Sequence, residues 1–177
     1  MIPYSRQQIT EEDIKVVADA LRDDILTGGQ KVSKFEEELA KYVGVKHVIA
    51  MNSATSALHV AYLSLGVKAG DEVITTPITF AATANSALMA GAQVKFCDVK
   101  ANGNIDEEKI PALITPKTKV ITAVDYGGNP VELDKIINLA KKHGIKVIDD
   151  ASHALGSVQN GVKVGVKADI SIFSFHP

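Results

Sequence analysis

Apolar residues along this chain recur in two alternating periods. Ile14, Val17, Ala18 and Leu21 repeat at helical spacing behind Thr10. This predicts an amphipathic helix that Thr10 caps, that Glu11, Glu12 and Asp13 favour at its positive end, and that runs to about Leu26. Thr27-Gly28-Gly29 breaks it. Phe35, Leu39 and Tyr42 predict a second helix from about Ser33, a candidate cap, to Val43, with Gly44 as its stop. Beyond it, short β-branched runs predict strands at 47–51, 72–75, 92–98, 119–123, 145–148 and 169–173. Helical stretches fall between them at 57–65, 80–89 and 131–143, with a short one capped by Asp106 and ending at Leu113. Strands alternating with helices imply βαβ crossovers, hence an α/β three-layer sandwich with a mainly parallel sheet. The first two helices precede any strand and need cover from elsewhere.

The run 145–148 is the anchor of this pattern. It delivers Asp149 and Asp150 to the C-terminal end of a buried strand, followed by Ala-Ser-His-Ala-Leu-Gly. In an open α/β sheet that rim is where ligands bind, and a carboxylate there can pair with a cationic group. The alternative is that both acids merely begin a turn. At another rim position, Asn52-Ser-Ala-Thr-Ser-Ala-Leu58 sets the hydroxyls of Ser53, Thr55 and Ser56 at a helix start, an arrangement that suits a phosphate or simply caps the helix. Phe80 follows a strand end, where it covers a flat ligand or joins the core. Ser174 alternates with apolar neighbours so as to share a rim with Asp150.

Composition narrows the function classes. The 177 residues hold 19 basic and 21 acidic side chains, a net charge of −2 that offers no polyanion surface. Trp is absent and aromatics are 5%, too few for base-stacking platforms. The single cysteine, Cys97, excludes an internal disulfide and any multi-cysteine metal site. His153 and His176 lack metal-ligand spacing with a third group, so no metal is expected. There is no Gly-x-Gly-x-x-Gly and no Walker A pattern. No signal-like N-terminus or membrane-length apolar run is present, and a cytoplasmic location is expected.

Taken together, Asn-Ser-Ala-Thr-Ser-Ala-Leu (52–58), Thr-Thr-Pro-Ile-Thr-Phe-Ala-Ala-Thr-Ala-Asn (75–85), Gly-Asn-Ile-Asp (103–106), Val-Asp-Tyr-Gly-Gly (124–128), Ser-His-Ala-Leu-Gly-Ser (152–157) and Phe-Ser-Phe-His (173–176) resemble one family. It is the DegT/DnrJ/EryC1/StrS sugar aminotransferase branch of the fold-type I pyridoxal-phosphate enzymes, and the resemblance runs from about Tyr4 to the last residue. It implies a pyridoxal 5'-phosphate cofactor, with Asp150 on the pyridine nitrogen and Phe80 stacked on the ring. It also implies that Ala54, Thr55 and Ser174 hold the phosphate, that His153 lies near the ring hydroxyl, and that Tyr4, Thr27 and Gly29 approach a sugar nucleotide. The implied reaction moves an amino group from glutamate to a UDP-linked 4-keto-6-deoxy sugar on the route to pseudaminic acid, in a homodimer. The lysine that binds the cofactor covalently is expected just after Pro177, so no catalytic residue is expected within the chain. The implied division is a segment and helix at 1–30 and a large cofactor-binding domain at 31–177, truncated before that lysine and before a C-terminal small domain. A sugar dehydratase of the same family, with His in place of that Lys, and a non-catalytic α/β ligand-binding fragment remain as alternatives.

Overall fold

A computed structural model describes residues 7–176. Their contacts divide them into two compact units, residues 7–50 with 175–176, and Met51–Ser174.

The first unit holds α1 (Glu11–Ala20) and α2 (Gln30–Val43). Thr10 and Asp13 cap α1 reciprocally: the Thr10 amide donates to Asp13 Oδ2 at 2.7 Å, and the Asp13 amide donates to Thr10 Oγ1 at 3.3 Å. The helix ends at Ala20, earlier than the apolar pattern predicts. Asp23 and Asp24 follow, and acids are disfavoured at the negative end of a helix. The N-cap of α2 is Gly29, not Ser33, so the helix starts earlier than its candidate cap suggested. A Cβ on Gly29 would meet the Ile25 carbonyl oxygen at 2.5 Å, which reserves the position for glycine. Gly44, with φ +92°, closes α2 in the left-handed conformation. Phe35 packs edge-to-face on Phe175 at 5.3 Å between ring centroids.

The segment 47–51, predicted as a strand, forms no ladder. A strand is stable only against a neighbour, and none pairs with it among the described residues. Ile49 is 79% exposed, and the Ala50 amide donates instead to Glu36 Oε1 at 2.7 Å.

The second unit is built as α3 (Ala54–Ser64), β1 (Glu72–Thr75), α4 (Ala82–Met89), β2 (Gln93–Phe96), β3 (Thr118–Val124), α5 (Leu133–His143), β4 (Lys146–Asp150), the short pair β5 (Val158–Gln159) and β6 (Val162–Lys163), and β7 (Ile170–Ile172). Five strands form one sheet in the order β2-β1-β3-β4-β7, every pair parallel. The mainly parallel α/β class read from the sequence is the observed one. Period-2 alternation sorts each strand between two cores. Val73, Val120 and Ile148 pack with Leu58 and Tyr62 of α3 and Ala87 of α4. Ile74, Ile121 and Val147 pack with Leu133, Ile136 and Ala140 of α5. Around Asp106 the expected helix is a turn in which Asp106 Oδ1 accepts the Glu108 amide at 3.2 Å, followed by a 3-10 helix at Ile110–Leu113 with Pro111 near its start. β5 and β6 are joined by Asn160 and Gly161, both at positive φ (53° and 78°), as a two-residue hairpin requires.

Candidate active site

The strand alternation decides where the two rim acids go. Asp149 continues the Val147 face towards α5, and Asp150 continues the Ile148 face towards α3 and α4. Asp150 is 4% exposed. Its Oδ2 accepts the Thr83 hydroxyl at 2.7 Å, and its Oδ1 accepts the Ser152 hydroxyl at 2.6 Å and the Ser152 amide at 3.4 Å. All these donors are neutral, and Asp150 joins no ion pair among the described residues. A buried carboxylate with only neutral partners is suited to receive a cationic group. It also does more than start a turn, because one of its donors comes from another helix.

Thr83 lies in the first turn of α4. Its hydroxyl accepts from Thr79 at 2.7 Å, and its carbonyl accepts the Tyr62 hydroxyl at 3.0 Å. Tyr62 also pairs with Thr122 Oγ1 at 2.8 Å, and Thr75 donates to the Thr122 carbonyl at 2.9 Å. Burial pushes the Tyr62 phenol up, so at neutral pH it holds its proton and acts as a donor. This chain of hydroxyls ties α3, α4, β1, β3 and Asp150 into one buried frame.

α3 supplies the other polar edge. Its C-terminus leads through 65–71 into the N-terminal end of β1, so α3 runs back along the sheet from the opposite, C-terminal rim. Ser53 caps it, its Oγ accepting the Ser56 amide at 3.1 Å. The amides of Ala54 and Thr55 are first-turn donors without an intrahelical acceptor. The Thr55 side chain is exposed, and the Thr55 carbonyl accepts the Ser86 hydroxyl of α4 at 3.3 Å. Phe80, between β1 and α4, is 76% exposed, which rules out a core role for its ring. Its carbonyl accepts the Thr83 amide at 3.1 Å, so it stands one turn from the residue that holds Asp150. His153 is exposed three residues beyond Asp150, and Ser174 is half-buried just past β7, the parallel neighbour of β4.

The chain thus brings Asp150, Phe80, Ala54 and Thr55 onto one hydrogen-bonded frame, with Ser174 and His153 on the segments leaving β7 and β4. Thr27 and Gly29 belong to the first unit, ahead of α2, and Tyr4 lies outside the described residues. The reading of the sequence assigned nothing to Thr83, Ser152, Tyr62 or Thr122. Their signal is polarity in the wrong place: Thr83 and Ser86 are fully buried in an otherwise apolar helix face. No group of three metal-ligating side chains occurs among the described residues.

The residues also have relatives. The family described as the DegT/DnrJ/EryC1/StrS aminotransferase family matches residues 7–177. A UDP-4-amino-4,6-dideoxy-N-acetyl-beta-L-altrosamine transaminase of Campylobacter jejuni subsp. jejuni serotype O:23/36 (strain 81-176) is 60% identical over 180 residues, covering 100% of this chain and 48% of its own length. Helicobacter pylori PseC, an aminotransferase involved in the biosynthesis of pseudoaminic acid, superposes with a TM-score of 0.95 at 44% identity, covering 98% of this chain and 47% of its own. Spr1654 from Streptococcus pneumoniae, in its PLP-form, gives 0.94 at 34% identity, covering 99% and 49%. The chain spans about half the length of the curated relatives it matches.

Proposed function

The chain belongs to the DegT/DnrJ/EryC1/StrS aminotransferase family, and from that premise we propose that it forms the cofactor-cradling part of a pyridoxal-phosphate sugar-nucleotide aminotransferase. The whole protein's reaction is then amino transfer to a UDP-linked 4-keto-6-deoxy sugar, with glutamate as the donor we assign. The relatives' names, a UDP-amino-sugar transaminase and an aminotransferase of pseudoaminic acid biosynthesis, support the reaction class. The observation that carries the reading is Asp150, a buried carboxylate with neutral donors only, on the same frame as an exposed aromatic and a helix start.

Each residue has a definite task. When bound, pyridoxal phosphate supplies an electron-accepting ring, which works best with its pyridine nitrogen protonated. Asp150 holds that proton on the nitrogen through a charge-assisted hydrogen bond, and Thr83 and Ser152 fix the carboxylate's orientation. The amides of Ala54 and Thr55 and the Thr55 hydroxyl hold the phosphate at the positive end of α3, and Ser174 adds a further hydroxyl. Phe80 would cover one face of the ring and keep water from it. His153 would serve the ring hydroxyl, and Thr27 and Gly29, with Tyr4, would serve the sugar nucleotide. The covalent link falls to the lysine that the family places after Phe-Ser-Phe-His, and residues 31–177 constitute the large domain. A cytoplasmic homodimer completes the reading.

The test is titration of residues 1–177 with pyridoxal phosphate, followed by borohydride reduction and mass analysis. Reversible binding in the micromolar to millimolar range is expected, on the order of −4 to −8 kcal/mol, with no lysine specifically reduced. Asp150→Asn is expected to weaken it about tenfold or more, since hydrogen bonds to charged groups contribute about 1.5–3 kcal/mol. A folded chain whose affinity is indifferent to Asp150→Asn, or one in which a single lysine is reduced, overturns this assignment of roles.

A further inference from the structure

Behind Asp150, on the α5 side of the sheet, lies a second polar site that cofactor binding does not use. A cavity of about 20 Å³ is lined by Asp125, Asp149, Gln159, Lys163 and Lys167 among apolar neighbours such as Val131. That is room for one water molecule. Asp125 and Asp149 are 2% and 1% exposed. Asp125 Oδ1 accepts the Val131 amide at 2.8 Å, whereas Asp125 Oδ2 and Asp149 Oδ1 have no hydrogen-bond partner among the described residues. Two ionised carboxylates in this position would leave two buried, unsatisfied oxygens of like charge on one small cavity. Removing such charges from water costs several kcal/mol each, so the pair keeps a proton instead.

We propose that Asp125 and Asp149 share one proton through a single water in this cavity, forming a dyad of charge −1 that positions Asp150. Burial, with the Asp125 and Asp150 charges added, holds the Asp149 carboxyl well above the usual carboxylate range, and burial pushes Asp125 up to about 6. The charged groups around the pair account for a single retained charge. Asp150 faces it from across β4, and Lys167 is committed to Asp134 at 2.6 Å. Lys163, from the β5–β6 hairpin, lines the same cavity and favours one negative charge over none. A metal cation is disfavoured there, because the cavity offers two carboxylates and two lysines.

The dyad acts on Asp150 through the backbone. The Asp125 amide donates to the Asp150 carbonyl at 3.2 Å, so the shared proton clamps the loop after β3 to the end of β4. The hairpin segment closes over that loop, with Ser157 Oγ donating to the Gly128 carbonyl at 2.8 Å. The role assigned to Asp150 rests on the reading above, whereas the proton count does not.

The test therefore begins without cofactor. Residues 1–177, labelled with 13C at aspartate carboxyls, are titrated by NMR with Asp125→Asn and Asp149→Asn as assignments. The expected result is one proton on the pair at pH 7, with each partner's midpoint falling when the other is made Asn. Thermal stability of the unsubstituted chain should fall as the pH rises from about 4 through about 6 and beyond, because the native state holds a proton that the unfolded chain releases near pH 4. Asp149→Asn should flatten that fall. A pair carrying two negative charges or none at pH 7, or midpoints that ignore each other, overturns the proposal, and the unsubstituted titration decides this even if a variant fails to fold. A second arm measures pyridoxal-phosphate affinity against pH. Loss of affinity in step with the dyad's upper midpoint, abolished by Asp149→Asn, is expected; an unchanged profile removes the link to Asp150.

Discussion

Thr83 uses different atoms for different partners, and this separates stability from site chemistry at the level of one residue. Its carbonyl takes the Tyr62 proton, while its hydroxyl donates to Asp150 and accepts from Thr79. Thr83→Val keeps the carbonyl and the side-chain shape and deletes only the hydroxyl. It leaves Asp150 with Ser152 as its remaining donor and the Thr79 hydroxyl without its acceptor. A buried polar group deprived of its partner costs about 1–3 kcal/mol, and that loss is the expected outcome in urea denaturation. Tyr62→Phe acts on the other arm. It frees the Thr83 carbonyl and Thr122 Oγ1 in the core, at a cost of similar size, without touching a donor to Asp150. A chain as stable with valine at 83 as with threonine would mean that the frame does not hold Asp150.

At the scale of elements, α3 joins stability to anion binding through its cap. Ser53→Ala removes the acceptor of the Ser56 amide and is expected to lower stability by about 0.5–2 kcal/mol, with Ser53→Gly costing less. Pyridoxal-phosphate affinity should follow the alanine change, because a frayed first turn no longer aims the Ala54 and Thr55 amides. Calorimetry on both variants checks this. The elements also show what was legible in the chain. Alternating runs such as Val147–Ile148 announce a two-sided strand, and the order of helices and strands announces a parallel sheet. The segment 47–51 is similarly apolar and β-branched at Val48–Ile49, yet forms no strand, because a ladder requires a neighbour that local pattern does not report. The candidate site divides in the same way. Asp150, Thr55 and Phe80 stand beside turn and cap residues and were visible. Thr83 and Tyr62 are recognised only by what they touch across 67 and 60 positions of sequence, Asp150 and Thr122 respectively.

For the whole molecule, the decisive feature is apolar surface. α1 has no buried residue, and Ile14, Val17 and Leu21 are 52%, 61% and 69% exposed, with Ile25 and Leu26 exposed beyond its end. Such a cluster on one helix and its tail is a surface that seeks cover. The capping box shows that the helix itself is well specified, so the exposure does not reflect a poorly formed element. A second copy of the chain is the occupant that fits the homodimer of the proposed function, and a two-fold contact would pair this face with itself. Residues 1–177 are therefore expected to self-associate in sedimentation velocity, reversibly and with a dependence on concentration. Val17→Lys with Leu21→Lys should weaken that association by about a hundredfold or more, since each substitution removes a buried aliphatic contact of about 1.5–3 kcal/mol and adds a like charge. Pyridoxal-phosphate affinity per chain should be unchanged, because the cradle residues belong to the other unit. A chain that stays monomeric up to its solubility limit, with or without the two lysines, would assign the cover of α1 to a different surface.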